Sequence, residues 1–256
     1  MASSTQSILV PRGKESNSDA GSRLTVKFEE VHEISEEFCY IISIMLGDGN
    51  IYKYRKSYYK TDFASSNDKN FIEYVAKIIQ NNLGIKVHVH KHTLQNCWYV
   101  QNFERKIGKL ITSFDIPIGN KTKIVELPKW CWYVPLKLRI KILEGLIDAE
   151  GYVCLKKYTI KYKNKTYTYN YPYIEIKTIS KNLINDISKI LDELKINYSR
   201  FLTKRKECKN VEYSITIIGK NVLKLIELHS FSYKLKNLYC KLQTASETGE
   251  GQTERL

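Results

Sequence analysis

The chain repeats itself, and that repeat constrains its fold more than any other feature. "YIISIMLGDG" (Tyr40 to Gly49) and "ILEGLIDAEG" (Ile142 to Gly151) are both mostly apolar, dotted with small residues and closed by an acid and a glycine, so Asp48 and Glu150 occupy matching places. Behind each come strands rich in tyrosine and lysine, then an amphipathic helix: "NDKNFIEYVAKIIQNNLGI" first, "ISKNLINDISKILDELKI" second. In the latter, Leu183, Ile187, Ile190, Leu191 and Leu194 keep the three/four spacing of a core face. A second strand pair follows in each half, "KVHVHKH" with "CWYVQNF" and "YSRFLTKRK" with "EYSITII", before a short helix and matching exits, "GNKTKIVEL" and "SYKLKNLYC". The pattern predicts an α+β chain of two αββαββα halves, related by a pseudo-twofold axis at which equivalent elements meet. The halves span 28–127 and 138–242, joined by an aromatic linker at 128–137 between Pro128 and Pro135. Residues 1–27, which include a thrombin-like "LVPRG", and the tail at 243–256 are polar and expected to be disordered.

The motif helices raise an electrostatic question. A helix C-terminus carries partial negative charge, so an acid there is disfavoured by several tenths of a kcal/mol or more. Ser43 with Gly47, and Gly145 with Ala149, each lie four residues apart and so share one helix face. Small side chains let two helix backbones cross closely. Crossing at the axis would bring Asp48 and Glu150 side by side, where they need protons or cations. A hard divalent ion resolves the conflict, and Mg²⁺ suits a site that keeps waters and phosphate oxygens among its ligands; Mn²⁺ or Ca²⁺ could take its place for binding.

Charge points to the partner. The chain holds 41 Lys and Arg against 27 Asp and Glu, a net +14, which favours a polyanion through attraction and counterion release. No apolar run approaches the roughly 18–20 residues of a bilayer span, so no membrane role is expected. Six cysteines without C-x-x-C spacing predict reduced thiols in an intracellular protein, and the Lys, Ile, Asn and Tyr bias suits AT-rich organellar or viral coding.

Strand alternation suggests how nucleic acid is held. Along "KKYTIKYKN", Lys157, Thr159, Lys161 and Lys163 share one face and Tyr158, Ile160 and Tyr162 the other; the expectation is that the apolar set packs on helices and the lysines face water. Lys53, Arg55, Lys204, Arg205 and Lys206 sit on comparable hairpins, and His88 and His90 alternate opposite Val87 and Val89 on a polar face that touches DNA or water. Antiparallel ribbons fit the major groove, where Arg and Lys bond guanine edges. Pro172 is expected to break the strand phase in "TYTYNYPYIEIK".

"LEGLIDAEG" closely resembles the LAGLIDADG motif and "IISIMLGDG" is a looser copy, so the chain resembles a single-chain, two-motif LAGLIDADG homing endonuclease from about Phe38 to Leu242. The resemblance implies two αββαββα halves whose sheets form a saddle over duplex DNA, and site-specific cleavage of both strands across the minor groove to leave 3′ overhangs. It implies metal binding by Asp48 and Glu150, with Gly47 and Ala149 beside them. It implies that Ser65 and Lys177, at the ends of second strands, order water, and that Lys121 and Lys234, on the exits, steady a phosphate or acidify a water. The motif helices would form the interface within a monomer. Leu46 stands where the motif has its first acid, which Asp148 keeps. Retention of both terminal acids argues for activity. A maturase that binds intron RNA, or a regulator that binds DNA without cutting, are the alternatives on the same scaffold; an intein is set aside for want of splicing residues.

Overall fold

The computed structural model describes residues 34–54, 58–163, 165–204, 210–228 and 232–247. The first half runs α1 (Glu36–Leu46), β1 (Asn50–Tyr54), β2 (Tyr58–Ser66), α2 (Lys69–Leu83), β3 (His88–Lys91), β4 (Trp98–Asn102) and α3 (Arg105–Ser113). The second runs α4 (Leu136–Glu150), β5 (Gly151–Tyr162), β6 (Lys165–Thr178), α5 (Lys181–Glu193), β7 (Ser199–Lys204), β8 (Val211–Ile218) and α6 (Lys220–Leu228), then α7 (Tyr233–Glu247). Each half holds one four-stranded antiparallel sheet, ordered β1-β2-β4-β3 and β5-β6-β8-β7. The same topology twice is the expected duplication.

Local chemistry sets the helix limits. Ser35, Asp68 and Ser180 cap α1, α2 and α5 by accepting first-turn amides, and Gly84 ends α2 in the left-handed conformation that favours glycine. Each sheet buries one face against its helices: Ile51, Phe63 and Val100 in the first half, Ile174, Ile176, Ile215 and Ile217 in the second, all fully buried. At the linker, Pro128 starts a 3₁₀ turn (Lys129–Trp132) and Pro135 precedes α4, which begins at Leu136. Trp130 is buried there and donates its indole N–H to the Phe114 carbonyl.

The two exits do not match. Residues 122–124 form a single turn, whereas the second exit is α7, which runs to Glu247, past the expected boundary at Leu242. The reason lies in the motif helices. Asp148 accepts the amides of Tyr233 and Lys234 and the Ser232 hydroxyl at 2.7, 2.9 and 2.7 Å, holding the start of α7. Leu46, at the matching place, offers no acceptor.

Each exit crosses to the opposite half. Leu127 N–H donates to Asp186 of α5, and Ser180 at the start of α5 donates to the Val125 carbonyl. In return Tyr233 of α7 packs its ring on Phe71 and Tyr74 of α2.

The strand faces correct one expectation. The β5–β6 register is continuous from Gly151↔Ile176 to Tyr162↔Lys165, so Pro172 does not break the phase. Its carbonyl accepts from Gly219 on the β8 side, beyond the last β6–β8 pair, Tyr173↔Ile218; the missing N–H of Pro172 therefore costs no ladder bond. In that register Lys157, Thr159 and Lys161 continue the helix-facing row of Val153 and Leu155, while Tyr158 and Ile160 continue the open row of Tyr152. The expected assignment is thus inverted. The hairpin outruns the helices behind it, so Lys157 and Lys161 stay exposed although they lie on that side. Lys163 is in the turn.

Candidate metal centre and nucleic-acid interface

The centre is built by the crossing of α1 and α4. Ser43 meets Gly145, and Gly47 meets Ala149: a Cβ on Gly145 would stand 2.0 Å from Ser43 Oγ and 2.7 Å from the Tyr40 carbonyl, and one on Gly47 would stand 2.5 Å from the Ala149 Cβ. Small residues are therefore required at this contact. Ser43 satisfies its hydroxyl within its own helix, donating to the Tyr40 and Cys39 carbonyls.

Close crossing brings Asp48 and Glu150 together. Both are half-buried, and neither accepts a hydrogen bond or ion pair from another described residue. Burial first, and the Glu150 charge second, push the Asp48 carboxyl up to about 7, while Lys234 and Lys121 pull it down. Glu150 is raised by burial and lowered by Lys121 and Lys234. Burial lowers Lys121 to about 8 despite both acids, and lowers Lys234 as well. Two acids and two ammonium groups thus share one partly dry site.

The lysines are anchored on backbone oxygens. Lys121 Nζ donates to the Gly47 carbonyl and Lys234 Nζ to the Gly151 carbonyl, each at 2.6 Å. The Gly47 carbonyl, expected beside the metal, holds a lysine ammonium in this structure. Lys121, Glu150 and Lys177 line one cavity of about 220 Å³ together with Gly47, Thr122 and Glu212. Lys177 follows Glu175 along β6 and pairs with its carboxylate at 3.2 Å. Ser65 is exposed on the open face of β2 and does not line that cavity.

The donors fit a hard divalent cation. They offer carboxylate oxygens without proton donors among the described residues and, beside Glu150, space for water, a ligand set that suits Mg²⁺ or Ca²⁺. Among the described residues no group of three or more His, Cys, Asp or Glu competes for the role.

A second cluster escaped the sequence reading. Asp148 is buried and accepts, besides its α7 contacts, the Tyr40 hydroxyl at 2.7 Å. Glu144 is also buried, accepting the Ser232 amide at 2.9 Å and pairing with Lys141 at 2.8 Å. The usable signal was a Ser one place before "YKLK", where a helix cap belongs. Asn50 and Asp62, opposed on β1 and β2 just after Asp48, each keep one buried oxygen unpaired among the described residues.

The expected DNA-contacting residues divide. His88 and His90 are exposed on the open face, opposite the row of Val89 and Val100, and His90 stacks on Tyr99. Lys53 pairs with Tyr59 in the row of Ile51, and Lys204 lies in the row of Arg200, whose guanidinium bonds Asn185 of α5. Both are on the helix side of their sheets and stay exposed there. Arg55, Arg205 and Lys206 lie outside the described residues.

Comparison with known proteins agrees with this architecture. Residues 137–228 match the LAGLIDADG-like domain family, and residues 38–116 match the WhiA LAGLIDADG-like domain. Among solved structures, the homing endonuclease I-DmoI in complex with DNA and Ca superposes with a TM-score of 0.57 at 15% identity, over 80% of this chain and 97% of that one. I-DmoI with DNA and Mn gives 0.54 at 16% identity, over 76% and 97%. Each half thus matches a LAGLIDADG-type domain model, and the chain as a whole has the fold of I-DmoI. Curated relatives are a probable translation initiation factor IF-2 of Methanocaldococcus jannaschii, 26% identical over 77% of this chain, and an uncharacterised protein of the same organism, 27% identical over 69%. The chain spans 15% of the former's length and 61% of the latter's.

Proposed function

We propose that the chain is a divalent-metal-dependent endodeoxyribonuclease that recognises a long, imperfectly palindromic duplex and cuts both strands across the minor groove. The observation that carries this reading is the meeting of Asp48 and Glu150 at the ends of two crossing helices, with a lysine on either side. Asp48 and Glu150 would hold Mg²⁺. When bound, such ions lower the pKa of an attacking water, neutralise charge at phosphorus and stabilise the leaving 3′ oxygen. The chain's own groups supply the rest. Lys121, with a pKa near 8, can hold or release a proton near neutrality beside the Glu150 cavity. Lys177 lines the same cavity and can order water there, a part Ser65 would play less strongly in the other half. The net charge of +14 and two open sheets draw the duplex over the centre.

The WhiA-type match of the first half supports a second reading, a DNA-binding module that does not cut. Retention of both acids favours cutting. The test is incubation with a randomised duplex library and Mg²⁺, with and without EDTA, followed by sequencing of ends. Chelator-sensitive cuts with 3′ overhangs, absent in Asp48→Asn and Glu150→Gln, are expected. Cleavage indifferent to chelator or to these variants would overturn the site; metal-independent binding without cutting would favour the module.

A further inference from the structure

The open faces of the two sheets carry different chemistry. On the first sheet that face presents Asn50, Lys60, Asp62, Gln101, His88 and His90, with Tyr52 as its exposed aromatic ring, all able to hydrogen-bond. On the second, strand register sets Tyr152, Tyr158 and Ile160 of β5, Phe201 of β7 and Ile218 of β8 on the open side, among polar neighbours such as Lys156, Glu175 and Thr216. Ile160, Phe201 and Ile218 are 41%, 56% and 53% exposed and have no hydrogen-bonding group at all. They do not form one patch: Ile218 lies six strand positions from Ile160 and four from Phe201, a spread that suits contacts at separate base pairs along a groove.

What covers this face follows from where it lies. β5 leaves the motif helix at Gly151, immediately after Glu150, and β6 ends at Lys177 and Thr178 in the Glu150 cavity. The face is therefore continuous with the proposed metal centre, and a duplex bound there must pass over it. In the major groove the one apolar feature of a base edge is the thymine 5-methyl. Ile and Phe can contact it, whereas they would strip water from guanine and cytosine edges without replacing the lost bonds.

We propose that the second half reads its part of the target through thymine methyl groups, contacted by Ile160, Phe201 and Ile218, while the first half reads by hydrogen bonds. The proposal rests on the DNA reading above. It makes the two half-sites chemically unlike: one thymine-rich and methyl-dependent, the other mixed and methyl-indifferent.

The experiment starts from duplexes selected by binding from a randomised library in Ca²⁺. In the selected duplex, deoxyuridine replaces thymidine in one half at a time, which removes the methyl and nothing else. Each buried methyl is worth about 0.8 kcal/mol, so affinity should fall roughly four-fold per contacted thymine in one half and stay unchanged in the other. In Ile160→Ser, Phe201→Ser and Ile218→Ser, all surface changes, that penalty should shrink. Selected duplexes indifferent to deoxyuridine, or equally sensitive in both halves, or a penalty unchanged in all three variants, would overturn the proposal while leaving the nuclease reading intact. Variants with unaltered DNA affinity would point to a second copy or a protein on this face, and overturn it too. Failure to select any duplex sinks both readings.

Discussion

Ser43 and Gly145 occupy the same position of the two repeats and touch each other across the crossing of α1 and α4. The contact leaves no room for a methyl group, because the Tyr40 carbonyl as well as the serine hydroxyl stands in its way. Gly145→Ala should destabilise the fold by roughly 1–3 kcal/mol, the usual cost of overpacking, despite the better helix propensity of alanine. Chemical denaturation measures it. Ser43→Gly should relieve part of the loss when combined with Gly145→Ala.

The two helix-end acids should separate binding from cutting. Asp48→Asn and Glu150→Gln are expected to lower cleavage at least 10²-fold while changing duplex affinity in Ca²⁺ less than ten-fold, since most affinity comes from phosphate contacts elsewhere. Gel shift and cleavage assays on the same duplex decide this.

Metal-free stability should depend on pH with an unusual sign. Asp48 holds its proton more tightly in the folded chain, with its pKa raised from 3.8 to about 7. The folded state therefore binds more protons between these values, and stability falls as pH rises through them. Glu150 adds to this fall, so Asp48→Asn should reduce it without abolishing it and raise Tm at pH 8 by a few degrees, about 1 kcal/mol being worth roughly 2–4 °C in a chain of this size. Mg²⁺ should flatten the wild-type curve by favouring the ionised pair. Thermal melts from pH 4 to 8 with and without Mg²⁺ provide the check.

Asp148 should matter far more than its counterpart Leu46. Asp148→Ala leaves two amides, a serine and a tyrosine hydroxyl without their acceptor, and about 3–5 kcal/mol of destabilisation is expected from opening this buried network. Tyr40→Phe should cost about 1 kcal/mol in wild type and nearly nothing on the Asp148→Ala background. Because Lys234 follows the clamp directly, the milder Asp148→Asn should slow cleavage of one strand more than the other, visible as accumulation of nicked plasmid.

What the sequence made legible was whatever repeats at short range. The duplicated helix–acid–glycine pattern and the three/four spacing of Leu183 to Leu194 each announce an element within a dozen positions. The acids Asp48 and Glu150 were found the same way. Strand phase was not. Alternating Lys and Tyr along Lys157–Tyr162 look like a polar and an apolar face only if the apolar one has something to pack on, and here the hairpin runs past its helices. Val153 and Leu155, closer to the motif, carried the true phase. The Asp148 clamp lay beyond reach for another reason: its partners are more than eighty residues away, and no local pattern joins them.

The crossed exits have a consequence for ancestry and engineering alike. Val125 and Leu127 grip α5, and Tyr233 grips α2, so each half finishes the other's surface. The two copies are thus interlocked, and each half cut out alone should lose part of its own surface. Shuffling halves between relatives would succeed only if the borrowed half brings a clasp that suits its new neighbour, and drift in one copy is held in check by the other.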